Sequence, residues 1–223
     1  MSSLTDFETV KQNMTLMFAQ SDYVSNITDT TSGPMAMSTI QKWDKRQEGS
    51  CKMGDLLTET NLPLYNLTSN ETTELHSLFT GKPLVLTFGS FSWRPWRAKA
   101  NIVQEIADEY VGVIDVAAVY ISEAHSTDEW ALYSDVDWKQ PKKMQERVAL
   151  ATKFAARLHG ENVPLYVDEL SNAVGDYFAA WPERLYIIDG DGKIGYKGEL
   201  GPDGYKPEEV KQWLVENLQT GKL

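Results

Sequence analysis

Apolar and polar residues alternate in blocks along this chain, and from about residue 60 the blocks predict strands that alternate with helices. The apolar run at 83–88 is typical of a strand buried on both faces. Asp189-Gly190-Asp191-Gly192 is a strong turn signal and predicts a hairpin. The predicted strands are 62–67, 83–88, 113–121, 163–167, 184–188 and 193–196, and the predicted helices are 71–79, 96–110, 144–158 and 207–218.

The order of these elements predicts the fold class. Strand, helix, strand, helix and strand, followed by a hairpin and a closing helix, is an α/β order typical of thioredoxin-like domains. Trp181-Pro182 precedes a predicted strand, where that fold commonly carries a cis proline. We therefore predict a thioredoxin-like α/β domain over residues 59–223.

The residues before this domain predict a helical extension over 1–58. A short amphipathic helix is predicted within 5–20, with its apolar face packed on the main domain or on a second copy. Gly33-Pro34 interrupts the pattern, and 36–48 is a second predicted helix. The apolar residues at helical spacing in the first helix are Phe7, Val10, Met14, Met17 and Phe18.

The net charge and the residue composition limit the kinds of molecule that this protein is expected to bind. The formal net charge of −11 argues against nucleic acid and anionic membranes. No apolar run approaches the ~18 residues of a membrane span, and residues 1–20 lack the pattern of a signal peptide. The single cysteine, Cys51, cannot form an intramolecular disulfide and suits a reducing compartment, so we expect a cytoplasmic protein. The three histidines show no metal-ligand spacing, and we predict neither a metal nor a cofactor.

The segment Gly89-Ser90-Phe91-Ser92-Trp93-Arg94-Pro95-Trp96 follows the apolar run at 83–88. A buried strand there leads into a helix start, which is where thioredoxin-type proteins place a redox cysteine because the helix N-terminus stabilises a thiolate. This chain has Trp93 and no cysteine nearby. The sequence therefore predicts the scaffold of a thiol or selenol enzyme without its nucleophile.

Four segments resemble the iodothyronine deiodinase family, and the similarity covers roughly residues 40–220. The family fold is a thioredoxin fold with insertions, and its activity is the reductive removal of iodine from an aromatic ring by selenocysteine and a thiol co-substrate. Family members dimerise, so the resemblance also implies a homodimer. The segments are Pro83-Leu-Val-Leu-Thr-Phe-Gly-Ser90, Tyr120-Ile-Ser-Glu-Ala-His-Ser-Thr-Asp-Glu-Trp130, Pro182-Glu-Arg-Leu-Tyr-Ile-Ile188 and Gly201-Pro-Asp-Gly-Tyr-Lys-Pro-Glu-Glu-Val210.

The resemblance carries over residue by residue, with departures at the redox centre. The family's selenocysteine falls on Trp93, its nearby cysteine on Phe91, and a second histidine, which holds a phenolic end of the hormone, falls near Pro141. Tryptophan cannot take a halogen as a soft nucleophile does, so the resemblance does not imply family-type deiodination by this chain. The family residues that are kept are Ser90, Tyr120, Glu123, His125 and Arg184.

Each candidate residue has a functional and a structural interpretation. His125 is predicted as a general acid or base that Glu123 orients, or as a loop-capping residue. Tyr120 is a candidate hydrogen-bond donor in the same group, or a core residue. Arg184 is predicted to hold an anionic substrate group, or to pair with Glu183 or Asp168.

The aromatic and basic residues at the helix start form a candidate substrate-binding cluster. In one interpretation they stack a flat ligand and favour its negative charge, with Ser90 beside them. In the other, Trp93 fills the vacant redox pocket. The residues of this cluster are Phe91, Trp93, Arg94 and Trp96.

Three hypotheses about function follow. The first is an enzyme that performs non-redox acid–base chemistry, such as isomerisation, cyclisation or elimination, on a flat aromatic or phenolic small molecule. The second is a non-catalytic protein that binds such a molecule. The third is a residual thiol-dependent reductive dehalogenase. The first is preferred because a pure binder has less need of His125 together with Glu123.

Overall fold

The computed structural model describes residues 36–133, 135–156 and 162–219. The helix predicted within 5–20 lies outside these residues. Helix α1 is Met37–Trp43, within the second predicted helix. After this helix, the chain around residues 54–57 lies beside residues 192–194. There the Gly54 amide donates a hydrogen bond to the Ile194 carbonyl at 2.8 Å. The boundary between residues 58 and 59 stays a prediction.

A seven-stranded mixed sheet forms the centre of the fold. Its strands are β1 Pro63–Asn66, β2 Glu71–Glu74, β3 Leu84–Gly89, β4 Asp115–Tyr120, β5 Leu165–Asp168, β6 Arg184–Ile188 and β7 Ile194–Lys197. Their order in space is β2-β1-β5-β4-β3-β6-β7. β3, β4 and β5 are parallel, and the other neighbouring pairs are antiparallel. β3 and β6 are buried along their whole length, and for β3 this is what the apolar run at 83–88 predicts.

Five further helices accompany the sheet within the described residues. They are α2 Arg94–Ala98, α3 Ala100–Glu109, α4 Met144–Ala155, α5 Ala173–Tyr177 and α6 Glu208–Gln219. α4 packs against β5, and α3 packs against α6. The peptide before Pro182 is cis, as predicted, and the peptide before Pro202 is cis as well. The predicted thioredoxin-like α/β class is confirmed at the level of this architecture.

The helix predicted at 71–79 is wrong. Residues 71–74 form β2, which pairs with β1 from Pro63↔Glu74 to Asn66↔Glu71. A single 3-10 turn, Leu75–Leu78, follows and buries its two leucines. Those leucines lie three residues apart, so they imitate the spacing of a helix, while the preceding threonines favour a strand.

The helix predicted at 96–110 is interrupted at Lys99. The backbone there leaves the helical region (φ −106°, ψ 5°), which separates α2 from α3. The Lys99 ammonium donates to the Tyr205 carbonyl at 2.7 Å, which holds the break against the loop before α6. α2 is therefore a short, separately placed helix that carries the residues next to Trp93.

Candidate functional site

Trp93 lies at the junction of β3 and α2, where it is the N-cap residue of the helix. Its side chain is only 4% exposed. Pro95 stands in the first turn, where the absence of an amide hydrogen costs no hydrogen bond. Gly89 allows the close packing here, because a Cβ at that residue would lie 2.1 Å from the Trp96 ring. The structure therefore places Trp93 at the helix start, as predicted.

Glu123 connects the segment before Trp93 to the end of β4. Its carboxyl group accepts a hydrogen bond from the Ser92 amide at 2.9 Å and another from the Tyr120 hydroxyl. The Tyr120 hydroxyl itself accepts from the Phe91 amide at 3.0 Å. Two buried side chains therefore fix the backbone that leads into Trp93.

Burial is the main influence on the pKa values of Glu123 and Tyr120. Burial raises the pKa of Glu123, while the hydrogen bonds from Ser92 and Tyr120 lower it in part. Burial and the nearby Glu123 carboxyl raise the pKa of Tyr120 well above its ordinary value. The Tyr120 hydroxyl therefore keeps its proton at neutral pH and remains the donor to Glu123.

Ser90 and Ser92 make a second connection between the same two segments. Ser92 Oγ accepts hydrogen bonds from the Ala124 and His125 amides at 3.0 and 3.1 Å. Ser90 Oγ accepts from the Ala124 amide at 3.3 Å. Both serines are completely buried. These contacts place His125 beside Trp93, and the predicted contact of Ser90 with substrate stays a prediction.

His125 is completely buried in an aromatic enclosure. Its ring centroid lies 5.2 Å from that of Trp93, 4.9 Å from that of Trp130 and 5.1 Å from that of Tyr133. Nδ1 lies 2.9 Å from the Trp130 carbonyl oxygen. A carbonyl only accepts hydrogen bonds, so Nδ1 carries the hydrogen of the neutral ring.

The second ring nitrogen of His125 is the unusual atom of the site. Nε2 is buried and has no hydrogen-bond partner among the described residues. Burial lowers the pKa of His125 to about 3, so the ring is neutral at pH 7. With Nδ1 protonated, Nε2 presents a bare lone pair to the interior, where it can accept a hydrogen bond.

The basic residues of α2 lie at the outer side of this enclosure. Arg94 and Arg97 both bind the Asp135 carboxylate, at 2.9 and 3.1 Å. The guanidinium of Arg94 lies 4.3 Å from the centroid of the Tyr133 ring, and that of Arg97 lies 4.8 Å from the centroid of the Phe91 ring. The ion pairs and the contact of Arg94 with the ring attach Tyr133 and Asp135 to α2, and the contact of Arg97 attaches Phe91 to it. A role for Phe91 and Arg94 in binding substrate stays a prediction.

Trp96 belongs to the hydrophobic core. Its ring stacks on Phe154 with centroids 4.2 Å apart, and its Nε1 donates to Thr87 Oγ1 at 2.9 Å. The side chain is 2% exposed. Trp96 therefore packs in the core, and its predicted contact with substrate gains no support from this geometry.

Arg184 uses its guanidinium for internal contacts. Nε donates to the Gly198 carbonyl at 2.9 Å, and Nη1 donates to the Gln47, Glu48 and Ala179 carbonyls at 3.0 to 3.1 Å. Nη2 pairs with the Glu48 carboxylate at 3.2 Å. The residue thus attaches residues 47–48 to the sheet and is not brought together with His125 and Trp93. Its predicted role in holding a substrate anion stays a prediction without geometric support.

Glu183 is the residue of the site that the sequence interpretation missed. It is completely buried, and neither carboxyl oxygen has a hydrogen-bond partner among the described residues. Burial raises its pKa well above the ordinary value, and the nearby Trp93 indole N–H lowers it in part from outside hydrogen-bonding geometry. The sequence analysis considered Glu183 only as an ion-pair partner of Arg184, whereas Arg184 pairs with Glu48.

Other kinds of site find no support in the described part of the chain. No group of three or more histidine, cysteine, aspartate or glutamate side chains there could hold a metal ion. No helix within the same residues has the length and apolarity to cross a bilayer. Cys51 is buried, and its Sγ contacts the Tyr177 carbonyl at 3.3 Å.

Solved structures confirm the class of the fold. A thioredoxin-like protein from Aeropyrum pernix matches with a TM-score of 0.50 and 15% identity, over 70% of this chain and 89% of its own. A protein described as a thiol:disulfide interchange protein DsbE from Chlorobium tepidum matches with a TM-score of 0.53 and 17% identity, over 76% and 99%. At such identities the likeness shows a thioredoxin-like fold and nothing more.

Sequence comparisons give the family. The family model for iodothyronine deiodinase matches residues 1–218, and the chain belongs to that family. A type I iodothyronine deiodinase from Xenopus laevis is 38% identical over 154 residues, which cover 67% of this chain and 58% of that protein. A thyroxine 5-deiodinase from Sparus aurata is 36% identical over 150 residues, with 64% and 55% covered. The chain thus spans little more than half the length of these relatives.

Proposed function

We propose that this protein is a deiodinase-family enzyme that transfers protons on a flat aromatic or phenolic small molecule, without redox chemistry. One observation carries the proposal, which is the buried lone pair of His125 Nε2 that no described group satisfies. A buried acceptor without a partner costs about 1–3 kcal/mol, so such an atom in an aromatic enclosure suits a ligand that donates a hydrogen bond. A phenolic hydroxyl is such a donor.

The surroundings of His125 fit a flat ligand. Trp93, Trp130 and Tyr133 surround the imidazole with ring faces and edges, and aromatic side chains of this kind favour a planar molecule. Thyroxine, which the relatives' names include, is itself a phenol. The strongly acidic composition supports a small-molecule partner rather than nucleic acid or an anionic membrane.

In this proposal His125 is the base, while Glu123 and Tyr120 position it. The neutral ring can take a proton at Nε2 while Nδ1 keeps its bond to the Trp130 carbonyl. Glu123 and Tyr120 spend their contacts on the Ser92 and Phe91 amides, which hold the segment beside the imidazole. A thiol-dependent reduction draws no support from the geometry, because Trp93 offers no sulfur or selenium at the helix start.

A second candidate function is non-catalytic binding of the same class of molecule. The observation that favours it is the engagement of Arg184 and Glu123 in internal contacts, which leaves fewer polar groups for chemistry. The two candidates share the contact at His125 Nε2 and differ in whether a proton is exchanged there.

A titration with 2-naphthol tests the shared contact. The control ligand is 2-methoxynaphthalene, which has the same rings and no hydroxyl hydrogen. His125→Asn keeps a donor for the Trp130 carbonyl and removes Nε2, and the exposed His76→Asn is the matched control variant. We expect wild type and His76→Asn to prefer 2-naphthol by roughly tenfold, and His125→Asn to lose the preference. Equal affinities for both ligands in all three proteins would refute the contact.

Proton exchange separates the enzyme from the binding protein. In D2O the hydrogen on carbon 1 of 2-naphthol exchanges through the keto tautomer, and proton NMR follows its loss. We expect wild type to accelerate this exchange above the buffer rate, and His125→Asn not to. Binding without acceleration would favour the non-catalytic protein. Iodide release from an iodinated phenol with dithiothreitol, above a no-enzyme control, would instead favour the family reaction.

A further inference from the structure

We infer that Gln140 is a positioning residue of the proposed enzyme, and that its side chain fixes the orientation of the His125 imidazole. The inference rests on the proposed function and deepens it, because it names a residue on which the direction of the base depends. Gln140 acts through the backbone of Glu123, two residues before His125. It also acts through the carboxylate of Glu129, the residue before Trp130.

The carboxamide of Gln140 binds both backbone groups of Glu123. Oε1 accepts a hydrogen bond from the Glu123 amide at 2.9 Å, and Nε2 donates one to the Glu123 carbonyl at 3.0 Å. Two residues of a hydrogen-bonded pair in an antiparallel sheet exchange the same two bonds. Glu123 lies just beyond β4, which ends at Tyr120. The side chain of Gln140 therefore holds the chain there as a neighbouring strand would hold it within the sheet.

The carboxamide also holds a second part of the loop. Nε2 donates to Glu129 Oε2 at 3.1 Å, and the same carboxylate oxygen pairs with the Lys45 ammonium at 3.1 Å. A primary amide has one oxygen and two N–H hydrogens, so one hydrogen is available for each acceptor. Reversal of the amide would direct its oxygen at the Glu123 carbonyl and the Glu129 carboxylate. Only one orientation of the Gln140 side chain therefore satisfies all three bonds.

The two parts of the loop that Gln140 binds are the parts that orient the imidazole. Before His125, the Glu123 carboxyl accepts from the Ser92 amide at 2.9 Å, and Ser92 Oγ accepts from the His125 amide at 3.1 Å. After His125, the Trp130 carbonyl lies 2.9 Å from Nδ1 and selects the tautomer with a bare Nε2. One carboxamide thus keeps a fixed distance between the backbone that carries the imidazole and the carbonyl that the imidazole binds.

The backbone of Gln140 is itself held against the loop. Its amide donates to Asp128 Oδ1 at 2.8 Å. The amide and hydroxyl of Thr127 donate to the Trp138 carbonyl at 2.9 and 3.1 Å. Residues 127–128 and 138–140 therefore lie side by side, and the side chain of Gln140 extends from a fixed backbone.

The experiment removes the carboxamide and observes the imidazole directly. Gln140→Met keeps an unbranched side chain of similar length and loses all three bonds. The matched control is Gln212→Met, the same change at an exposed residue of α6 whose Nε2 donates to Glu216 at 2.9 Å. Nitrogen NMR distinguishes a protonated from a bare imidazole nitrogen and needs no substrate. The signals of His125 are assigned by their absence in His125→Asn.

We expect wild type and Gln212→Met to show one neutral tautomer, with Nδ1 protonated and Nε2 bare. Gln140→Met should show a mixture of the two tautomers, because the Trp130 carbonyl is no longer held opposite Nδ1. In the 2-naphthol assays, its preference over 2-methoxynaphthalene should fall from roughly tenfold to about twofold or less. The exchange rate at carbon 1 should fall by roughly 100-fold, which is the cost of a displacement of about 1 Å. Gln212→Met should match wild type in both assays.

The outcomes separate this inference from the proposed function. Unchanged imidazole signals in Gln140→Met would overturn the inference, whatever wild type does with 2-naphthol. If wild type neither prefers nor exchanges 2-naphthol while Gln140→Met alters these signals, the proposed function fails and the orientation of His125 by Gln140 stands. Normal exchange in Gln140→Met beside lost exchange in His125→Asn would overturn the inference and leave the proposed function standing.

A second variant keeps the inference testable if Gln140→Met does not fold. Gln140→Glu keeps the length of the side chain and an acceptor for the Glu123 amide, but an ionised carboxylate has no hydrogen for the Glu123 carbonyl. It should produce the same mixture of tautomers at neutral pH. Unfolding of both variants under conditions in which Gln212→Met stays folded would show that the side chain serves the fold as a whole, and would overturn the inference.

Discussion

Replacement of His125 by asparagine should change how stability depends on pH, and the direction follows from burial. The folded-state pKa is about 3, while the ordinary value is 6.5. As pH falls below 6.5, the unfolded chain takes up a proton at this residue and the folded chain does not. The stability that the neutral ring contributes is therefore fully present above pH 6.5 and is lost progressively as pH falls towards 3.

The magnitude can be worked out from these two values. Each pH unit between the ordinary pKa of 6.5 and the folded value of about 3 is worth about 1.4 kcal/mol. At about pH 5 the loss relative to about pH 7.5 is therefore about 2 kcal/mol. The buried carboxyls of Glu123, Asp168 and Glu183 act in the opposite direction, because their pKa values are raised. Only a difference between variants isolates the histidine.

The assay is urea denaturation of wild type, His125→Asn and His76→Asn at both pH values. Asparagine keeps a donor for the Trp130 carbonyl, so the other buried groups contribute equally and cancel. Wild type should lose about 2 kcal/mol relative to His125→Asn on acidification. His76→Asn should differ from wild type by a few tenths of a kcal/mol at most, since that side chain is 56% exposed. A change below about 0.5 kcal/mol for His125→Asn would refute the buried neutral imidazole.

Two further predictions concern neighbouring groups. Burial raises the pKa of Asp168 to about 6 from 3.8, so its contribution to stability grows as pH falls through that range. Between about pH 7.5 and about pH 5, the free energy of unfolding of wild type should rise by about 1 kcal/mol relative to that of Asp168→Asn. Equal changes in the two proteins, measured by urea denaturation, would contradict this. Trp93→Ala should cost about 3–5 kcal/mol, and added indole should restore part of the melting temperature; no response to indole would show that the pocket collapses.

The sequence predicted the elements whose pattern is decided locally. β3, β4 and β6 are apolar runs between turn residues, and they form where predicted. β2 was missed because its threonines are mostly exposed and its partner is β1, while the leucines after it have helical spacing. α5 was missed because it is one short turn of helix that follows Asn172 in the left-handed region, at φ 57°. The pairing of two strands and the backbone angles of a single residue have little effect on the spacing of apolar residues, so that spacing does not predict them.

The location of the site residues could be predicted where a sequence motif fixes a backbone segment. The direction in which a side chain points was harder to predict. His125, Glu123 and Tyr120 lie close to Trp93 because the ends of β3 and β4 are adjacent and parallel. The orientation of Arg184 depends on carbonyls 136 and 137 residues away in sequence. The burial of Glu183 was not predicted because a carboxyl group in a loop is normally solvated, and only the packed structure shows it to be buried.

The contacts around Trp93 depend mostly on the backbone and not on the side chain at residue 93. Glu123 and Ser92 bind backbone amides, and a backbone amide is the same whichever side chain occupies residue 93. Their presence therefore reports the geometry of the segment and says little about the reaction. The reaction has to be inferred from polar atoms that the fold leaves unsatisfied, because retaining them costs stability. In this site such an atom is His125 Nε2, which is why the proposed chemistry is assigned to it.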